Sequence, residues 1–304
     1  MNQKIADELR RIAGAENITT DEPMDRHTSF RIGGPADYFA LPQTEEQIKG
    51  LLSFCKREGL PYFLMGNGSN LLVGDDGFRG LIIQLWKNYG RIEMRENEII
   101  AQAGAMLSAV ARTAALAGLT GMEFASGIPG TIGGASVMNA GAYGGEMRQI
   151  IRSVTMLTPE SAITEKSCGE MEFGYRSSYA QKHNCIILGA RIVLSPGDKD
   201  QIMEKIEDLR MQRVSKQPLD LPSAGSTFKR PEGFFAGKLI MEAGLRGFTV
   251  GGAQVSEKHC GFVVNRGGAT ASDVCALMRE VRRRVKEMSG VELEPEIKMI
   301  GCSL

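Results

Sequence analysis

Two glycine-rich stretches and three polar clusters hold the residue types that could do chemistry in this chain of 304 residues. The longer stretch, Gly127 to Gly145, reads GIPGTIGGASVMNAGAYGG and carries seven glycines in nineteen residues. Glycine lets another group approach the main chain closely, at an entropic cost on folding. Successive N–H groups in tight turns form concave anion sites, and Asn139 adds a polar side chain, so the stretch suits a phosphate-bearing ligand. A solvated linker would have no use for Ile128, Ile132, Val137, Met138 and Tyr143 among the glycines. The shorter stretch, Gly66-Asn67-Gly68-Ser69-Asn70, follows the apolar run Tyr62-Phe63-Leu64-Met65 and sets N–H groups and short polar side chains at a strand end. It has neither the glycine spacing of a dinucleotide-binding turn nor the lysine of a P-loop. A single loop of this kind is equally well a plain turn. Two of them read as the walls of one cleft for a long nucleotide.

The polar clusters are Tyr175-Arg176 within FGYRSS, the run from Ser223 to Pro231 (SAGSTFKRP), and Leu293-Glu294-Pro295-Glu296-Ile297. Each alone has a plain alternative: a surface arginine, a turn serine, carboxylates bracketing a proline.

The elements that must position these residues alternate in type. Ile5, Leu9 and Ile12 predict a short amphipathic helix. Thr44-Glu45-Glu46-Gln47 matches a capping box, with Ile48, Leu51, Leu52 and Cys55 along one helix face until Gly59 and Pro61. Strands are expected at Tyr62–Met65, Leu71–Val73, Leu81–Leu85, Glu98–Ala103, Ser153–Leu157 and Cys185–Leu194. A helix over Leu107, Val110, Ala111 and Ala114 ends near Gly118, and a charged helix carries Ile202, Ile206 and Leu209. The last helix sets Val274, Leu277, Met278, Val281, Val285 and Met288 opposite Arg279, Arg282, Arg283 and Lys286, whose basic run reads as a solvated face.

Lys plus Arg equals Asp plus Glu, 36 of each, which removes the electrostatic case for a general nucleic-acid or membrane-surface binder. The six cysteines show no C-x-x-C pair and no metal-ligand spacing, so no metal is expected and the thiols read as buried and free. The first residues are charged and helix-patterned, and no apolar run approaches the roughly 18 residues of a membrane span. The expectation is a cytoplasmic protein without membrane partners.

Six motifs, HTSFRIGGPADYF, PYFLMGNGSNLLV, GIPGTIGGASVMNAGAYGGE, GYRSSY, AGSTFKRP and LEPEI, occur in an order that resembles the UDP-N-acetylenolpyruvoylglucosamine reductases. The resemblance spans residues 20 to 301 and matches the shorter subclass of that family. It implies an α+β chain with an FAD-binding fold of the vanillyl-alcohol-oxidase type. The implied parts are subdomains at 1–85 (with 290–304 as a candidate completion) and 86–197, and a substrate-binding domain at 198–304. It further implies noncovalent FAD, since neither glycine-rich loop contains a histidine, and NADPH as hydride donor. By the resemblance Gly66, Asn67, Gly68, Ser69 and Asn70, with Ile128, Pro129, Gly130, Thr131, Gly133, Gly134, Asn139, Ala140 and Gly141, line the FAD.

The implied reaction reduces UDP-N-acetylglucosamine enolpyruvate to UDP-N-acetylmuramate in peptidoglycan precursor synthesis. The resemblance assigns the proton to Ser226, and the polarisation of the substrate carboxylate to Arg176 and Glu296. Tyr175 and Lys216 fall where the family contacts the substrate, and His259 near such a position; Arg230 stands where some relatives carry asparagine. A monomer or weak oligomer acting on small molecules is expected. A noncatalytic flavin- or nucleotide-binding protein of the same fold is the alternative, and it would be free to lose Arg176, Ser226 or Glu296.

Overall fold

The computed structural model describes residues 2–304 and resolves into two compact units. The first comprises Met1–Thr19, Phe39–Asn67 and Ile82–Arg213; the second comprises Thr20–Tyr38, Gly68–Leu81 and Val214–Leu304.

The first unit is built on a five-stranded antiparallel sheet. Its order is Ile163–Ser167, Ile151–Leu157, Ile186–Val193, Glu98–Gln102, Ile92–Arg95. From the strand Ile186–Val193, Ala190 and Ile192 alternate into a core shared with Ile187, Ile99, Leu107, Val110, Ile132, Met147 and Val154. Half of the expected capping box forms at the helix Glu45–Glu58: the Gln47 N–H donates to Thr44 Oγ1 (3.2 Å), but Gln47 Oε1 accepts from the Gln43 N–H (2.7 Å) rather than from Thr44, and Gly59 closes the helix at φ +62°.

One local reading differs from the structure. The glycine stretch, expected as tight turns, contains a helix from Ile132 to Met138. Glycines at 133 and 134 disfavour a helix by about 1 kcal/mol each relative to alanine, and seven residues would not hold one in isolation. Packing decides the outcome. Ile132 and Ala135 are buried, and the helix lies on the strand Ile186–Val193. Full burial of one isoleucine is worth about 1.5–3 kcal/mol. Gly133 is required there because a Cβ would stand 2.9 Å from Ala103 Cβ.

In the second unit a four-stranded antiparallel sheet runs in the order Ser223–Ser226, Phe262–Asn265, Ala253–Val255, Thr249–Val250. The helix Ala271–Ser289 covers it with Val274, Leu277, Val281 and Val285. Three of the four cations on the basic face of that helix are paired: Arg283 with Glu280 and Glu287, and Arg282 and Lys286 with Glu292, while Arg279 donates to Ser303 O. A short parallel pair joins Leu71–Val73 to Lys298–Ile300. Of the six thiols, Cys168 and Cys302 are only half-buried, against the expectation that all lie in the core. Among the described residues no helix is long and apolar enough to cross a membrane.

Candidate active site

Within the first unit Gly66, from the shorter glycine-rich stretch, meets Thr131 of the longer one, while Gly68, Ser69 and Asn70 belong to the second unit. A Cβ on Gly66 would stand 2.4 Å from Thr131 Oγ1, so glycine is what allows the strand-end loop to lie against the start of the helix Ile132–Met138. The Gly66 carbonyl accepts from Gln84 Nε2 at 2.9 Å, which anchors the turn. Gly68 adopts φ +69°. Among the described residues no acceptor receives the N–H groups of Gly66, Asn67, Gly68, Ser69 or Thr131. Gly68 is buried and Thr131 is 2% exposed. Buried N–H groups are almost always paired, and successive N–H groups around a left-handed residue form an anion cradle. The continuous loop of residues 66–69 has the chemistry to fit a phosphate of a flavin dinucleotide.

Other polar groups of the stretch are used inside the protein. Ile132 N–H donates to Ala105 O and Gly133 N–H to Ala103 O, both at 2.8 Å, and Gly134 N–H donates to Thr131 Oγ1. Ala140 N–H donates to Ala135 O at 2.8 Å, and Gly141 pairs with Glu146 in a short hairpin. Ile128 packs on the core, while Pro129 is exposed and Gly130 takes Leu107 N–H on its carbonyl. The Asn139 amide is fully engaged. Its Nδ2 donates to Glu146 Oε2 (2.9 Å) and Gly174 O (3.2 Å), and its Oδ1 accepts from Arg148 N–H (2.9 Å).

The bond to Gly174 ties the glycine stretch to the turn that carries Arg176. Ser178 Oγ adds a second tie, donating to Val137 O at 2.7 Å. Gly174 and Ser177 exchange both backbone hydrogen bonds, and Arg176 sits at φ +52°. A side-chain-bearing residue in that region costs of order 1 kcal/mol or more and persists where the surroundings over-determine it. The Arg176 guanidinium lies 5.1 Å from the centre of the Tyr175 ring, which is itself exposed.

The second unit brings Ser226 and the Glu296 segment together. Glu296 N–H donates to Thr227 O at 2.9 Å, Lys229 N–H to Glu294 O at 2.8 Å, and Phe228 bridges Pro295. The buried Thr227 takes the Val263 N–H on its hydroxyl at 2.9 Å, which locks the segment to the sheet. Gly225, at φ +76°, lies in a register shift between Ser223 and Ser226, and Ser226 emerges exposed. Such bulges re-aim side chains. Asn70 holds the other side of the Glu296 segment, donating from Nδ2 to Glu296 O (3.1 Å) and accepting the Lys298 N–H (3.0 Å).

The remaining predicted contacts are distributed. Lys216 ends the helix Lys199–Lys216 and is exposed. Arg230 stacks 3.9 Å over the centre of the exposed Phe235 ring. His259 accepts the Gly261 N–H on Nδ1 at 3.1 Å, which leaves the proton of the neutral ring on Nε2, and burial lowers its pKa from the ordinary 6.5. Two features escaped the sequence reading: the positioning bonds of Thr227, and Arg213, which packs against Gly127.

The FAD binding domain family matches residues 36–166, and the C-terminal domain family of UDP-N-acetylenolpyruvoylglucosamine reductase matches residues 217–300. The fold is also that of p-cresol methylhydroxylase, solved with substrate bound, at a TM-score of 0.50 over 97% of this chain and 65% of that one, with 14% identity. Fold and cradle together define an FAD-binding flavoprotein of the vanillyl-alcohol-oxidase type. UDP-N-acetylenolpyruvoylglucosamine reductase of Clostridioides difficile (strain 630) is 51% identical over 99% of both chains. The crystal structure of the corresponding enzyme (MurB) from Thermus caldophilus aligns at a TM-score of 0.78 and 34% identity, covering 93% of this chain and 97% of that one. The chain belongs to the UDP-N-acetylenolpyruvoylglucosamine reductase family.

Proposed function

We propose that this chain is an NADPH-dependent, FAD-containing reductase that converts UDP-N-acetylglucosamine enolpyruvate to UDP-N-acetylmuramate in peptidoglycan precursor synthesis. The observation that carries the proposal is the 51% identity along 99% of the chain to a reductase of this name. Arg176, Ser226 and Glu296 stand within it at the motif positions. Bound noncovalently, FAD would supply the two-electron hydride chemistry that links NADPH to the terminal vinyl carbon of the substrate.

The residues of the chain then have defined work. Hydride addition to an enol ether pushes negative charge onto the adjacent carboxylate, and a preorganised cation that meets this charge lowers the barrier. Arg176 fits that task, since a guanidinium fork binds a carboxylate bidentately. Its strained but well-tied turn keeps the fork from relaxing. Glu296 hydrogen-bonds the enol oxygen. Ser226 transfers its hydroxyl proton to the carbon alpha to the carboxylate, a step favoured because the enediolate is far more basic than the carboxylate product. Tyr175, Lys216 and Arg230 hold the sugar nucleotide, and His259 offers it a donor from Nε2.

Residues 1–85 and 86–197 serve FAD and residues 198–304 the substrate in this reading, with the chain acting in the cytoplasm as a monomer or weak oligomer. Purified protein should be yellow and release free FAD on denaturation. Oxidation of NADPH should then depend on the enolpyruvyl substrate. A yellow protein without that dependence would leave only flavin binding, and a colourless protein that FAD cannot reconstitute would remove both.

A further inference from the structure

Arg213 lies in the last turn of the helix Lys199–Lys216, on the side that meets the glycine stretch. A Cβ built on Gly127 would stand 3.2 Å from Arg213 Cδ and 3.7 Å from Nη1. Tyr143, near the other end of the stretch, is the titratable group whose charge acts on it. Burial presses the Arg213 pKa below the ordinary arginine value, and only the tyrosine opposes that. Yet no carboxylate or carbonyl among the described residues receives its guanidinium. Arg210, one turn earlier, is held by Glu207 at 2.7 Å.

A half-buried cation without a counter-charge is costly, which is why buried charges are paired. The helix C-terminus is a favourable neighbour for a cation, but worth only about 0.3–1 kcal/mol. It would be satisfied equally well by an arginine turned to water. Gly127 supplies the complementary fact, since a Cβ there would press on the arginine stem at 3.2 Å. Guanidinium, exposed glycine backbone and phenol together leave one charge for a ligand to answer.

We propose that Arg213 is a phosphate-binding residue of the nucleotide cleft, its guanidinium pairing with a phosphate of a bound nucleotide beside Gly127. The inference rests on the reading above that the chain binds FAD and uses nucleotide substrates. The phosphate belongs either to FAD or to a nucleotide substrate, and binding measurements separate the two.

Wild type, Arg213→Gln and Arg213→Lys are stripped of flavin. Each apoprotein is titrated with FAD by quenching of flavin fluorescence, and each reconstituted protein with UDP-N-acetylglucosamine and with NADP⁺ by perturbation of the flavin spectrum. For R213Q, a rise in the FAD Kd of tenfold or more, partly recovered in R213K and shrinking with added salt, assigns the phosphate to FAD. An unchanged FAD Kd with a tenfold loss for one of the other nucleotides assigns it to the substrate. Thermal melting adds a readout that a packing role would not give: apo R213Q should melt at or above apo wild type, because an unpaired charge has been removed. Unchanged affinity for all three nucleotides, or an apo R213Q that melts several degrees lower, overturns the proposal. Wild-type protein that takes up no FAD would instead overturn the functional reading on which it rests.

Discussion

Single atoms decide much of this site. The hydrogen on Gly66 that a methyl group would replace leaves room for the Thr131 hydroxyl, which in turn caps the helix Ile132–Met138. Gly66→Ala should therefore cost about 1–3 kcal/mol by overpacking and weaken FAD binding, read by thermal melting and flavin fluorescence of the same sample. Stability and affinity unchanged from wild type would mean the loop yields freely. His259 makes a pH-dependent contribution. Its pKa in the folded chain lies below 6.5 because burial disfavours the imidazolium. Above pH 6.5 folded and unfolded states are both neutral there. As pH falls through 6.5 toward the folded value the unfolded chain takes up the proton first, and stability is lost. The melting temperature should drop as pH falls below 6.5, and His259→Gln should flatten that drop; an unaltered profile in the variant would contradict it.

At the scale of elements, the positions of Arg176 and Glu296 are each held by one amide side chain from a glycine-rich loop. Asn139 holds Gly174 O, and Asn70 holds Glu296 O. Asn139→Ala would leave a carboxylate, a carbonyl and an N–H without that partner, a loss of about 1–3 kcal/mol. Because the Arg176 turn is tied there, kcat should fall more than tenfold in the variant while flavin reduction by NADPH changes little. Loss of stability with kcat intact would mean the Ser178 tie suffices.

This scale also shows what could be read from the chain beforehand. The helix Glu45–Glu58 and the strand Tyr62–Met65 follow from signals contained within a few residues, a capping threonine, an apolar period and a terminal glycine. The helix inside Gly127–Gly145 does not, because two glycines speak against it and the deciding contact is with a strand some fifty residues on. The parallel pairing of Leu71–Val73 with Lys298–Ile300, which fixes Glu296 beside Asn70, is equally nonlocal. Arg213 was invisible for the same reason: on a charged helix face nothing marks the one arginine that lacks an acid.

For the whole molecule, the residues proposed for catalysis belong to different compact units, Arg176 to the first and Ser226 and Glu296 to the second. The glycine cradle carries none of them; the role proposed for it is to hold the flavin. The names of the acids, bases and ligands came from the ordered motifs, and the full-length family relation supports the activity, while the geometry contributes the positioning of each group. The central claim is that Ser226 delivers the proton in the second half-reaction only. Its most direct test is stopped-flow absorbance of the flavin in Ser226→Ala, with the two half-reactions measured separately. Reduction by NADPH should proceed at close to the wild-type rate, while reoxidation by UDP-N-acetylglucosamine enolpyruvate slows by about 10²–10⁴-fold, the span that general acid catalysis supplies. Equal slowing of both halves, or reoxidation at the wild-type rate, would contradict the account.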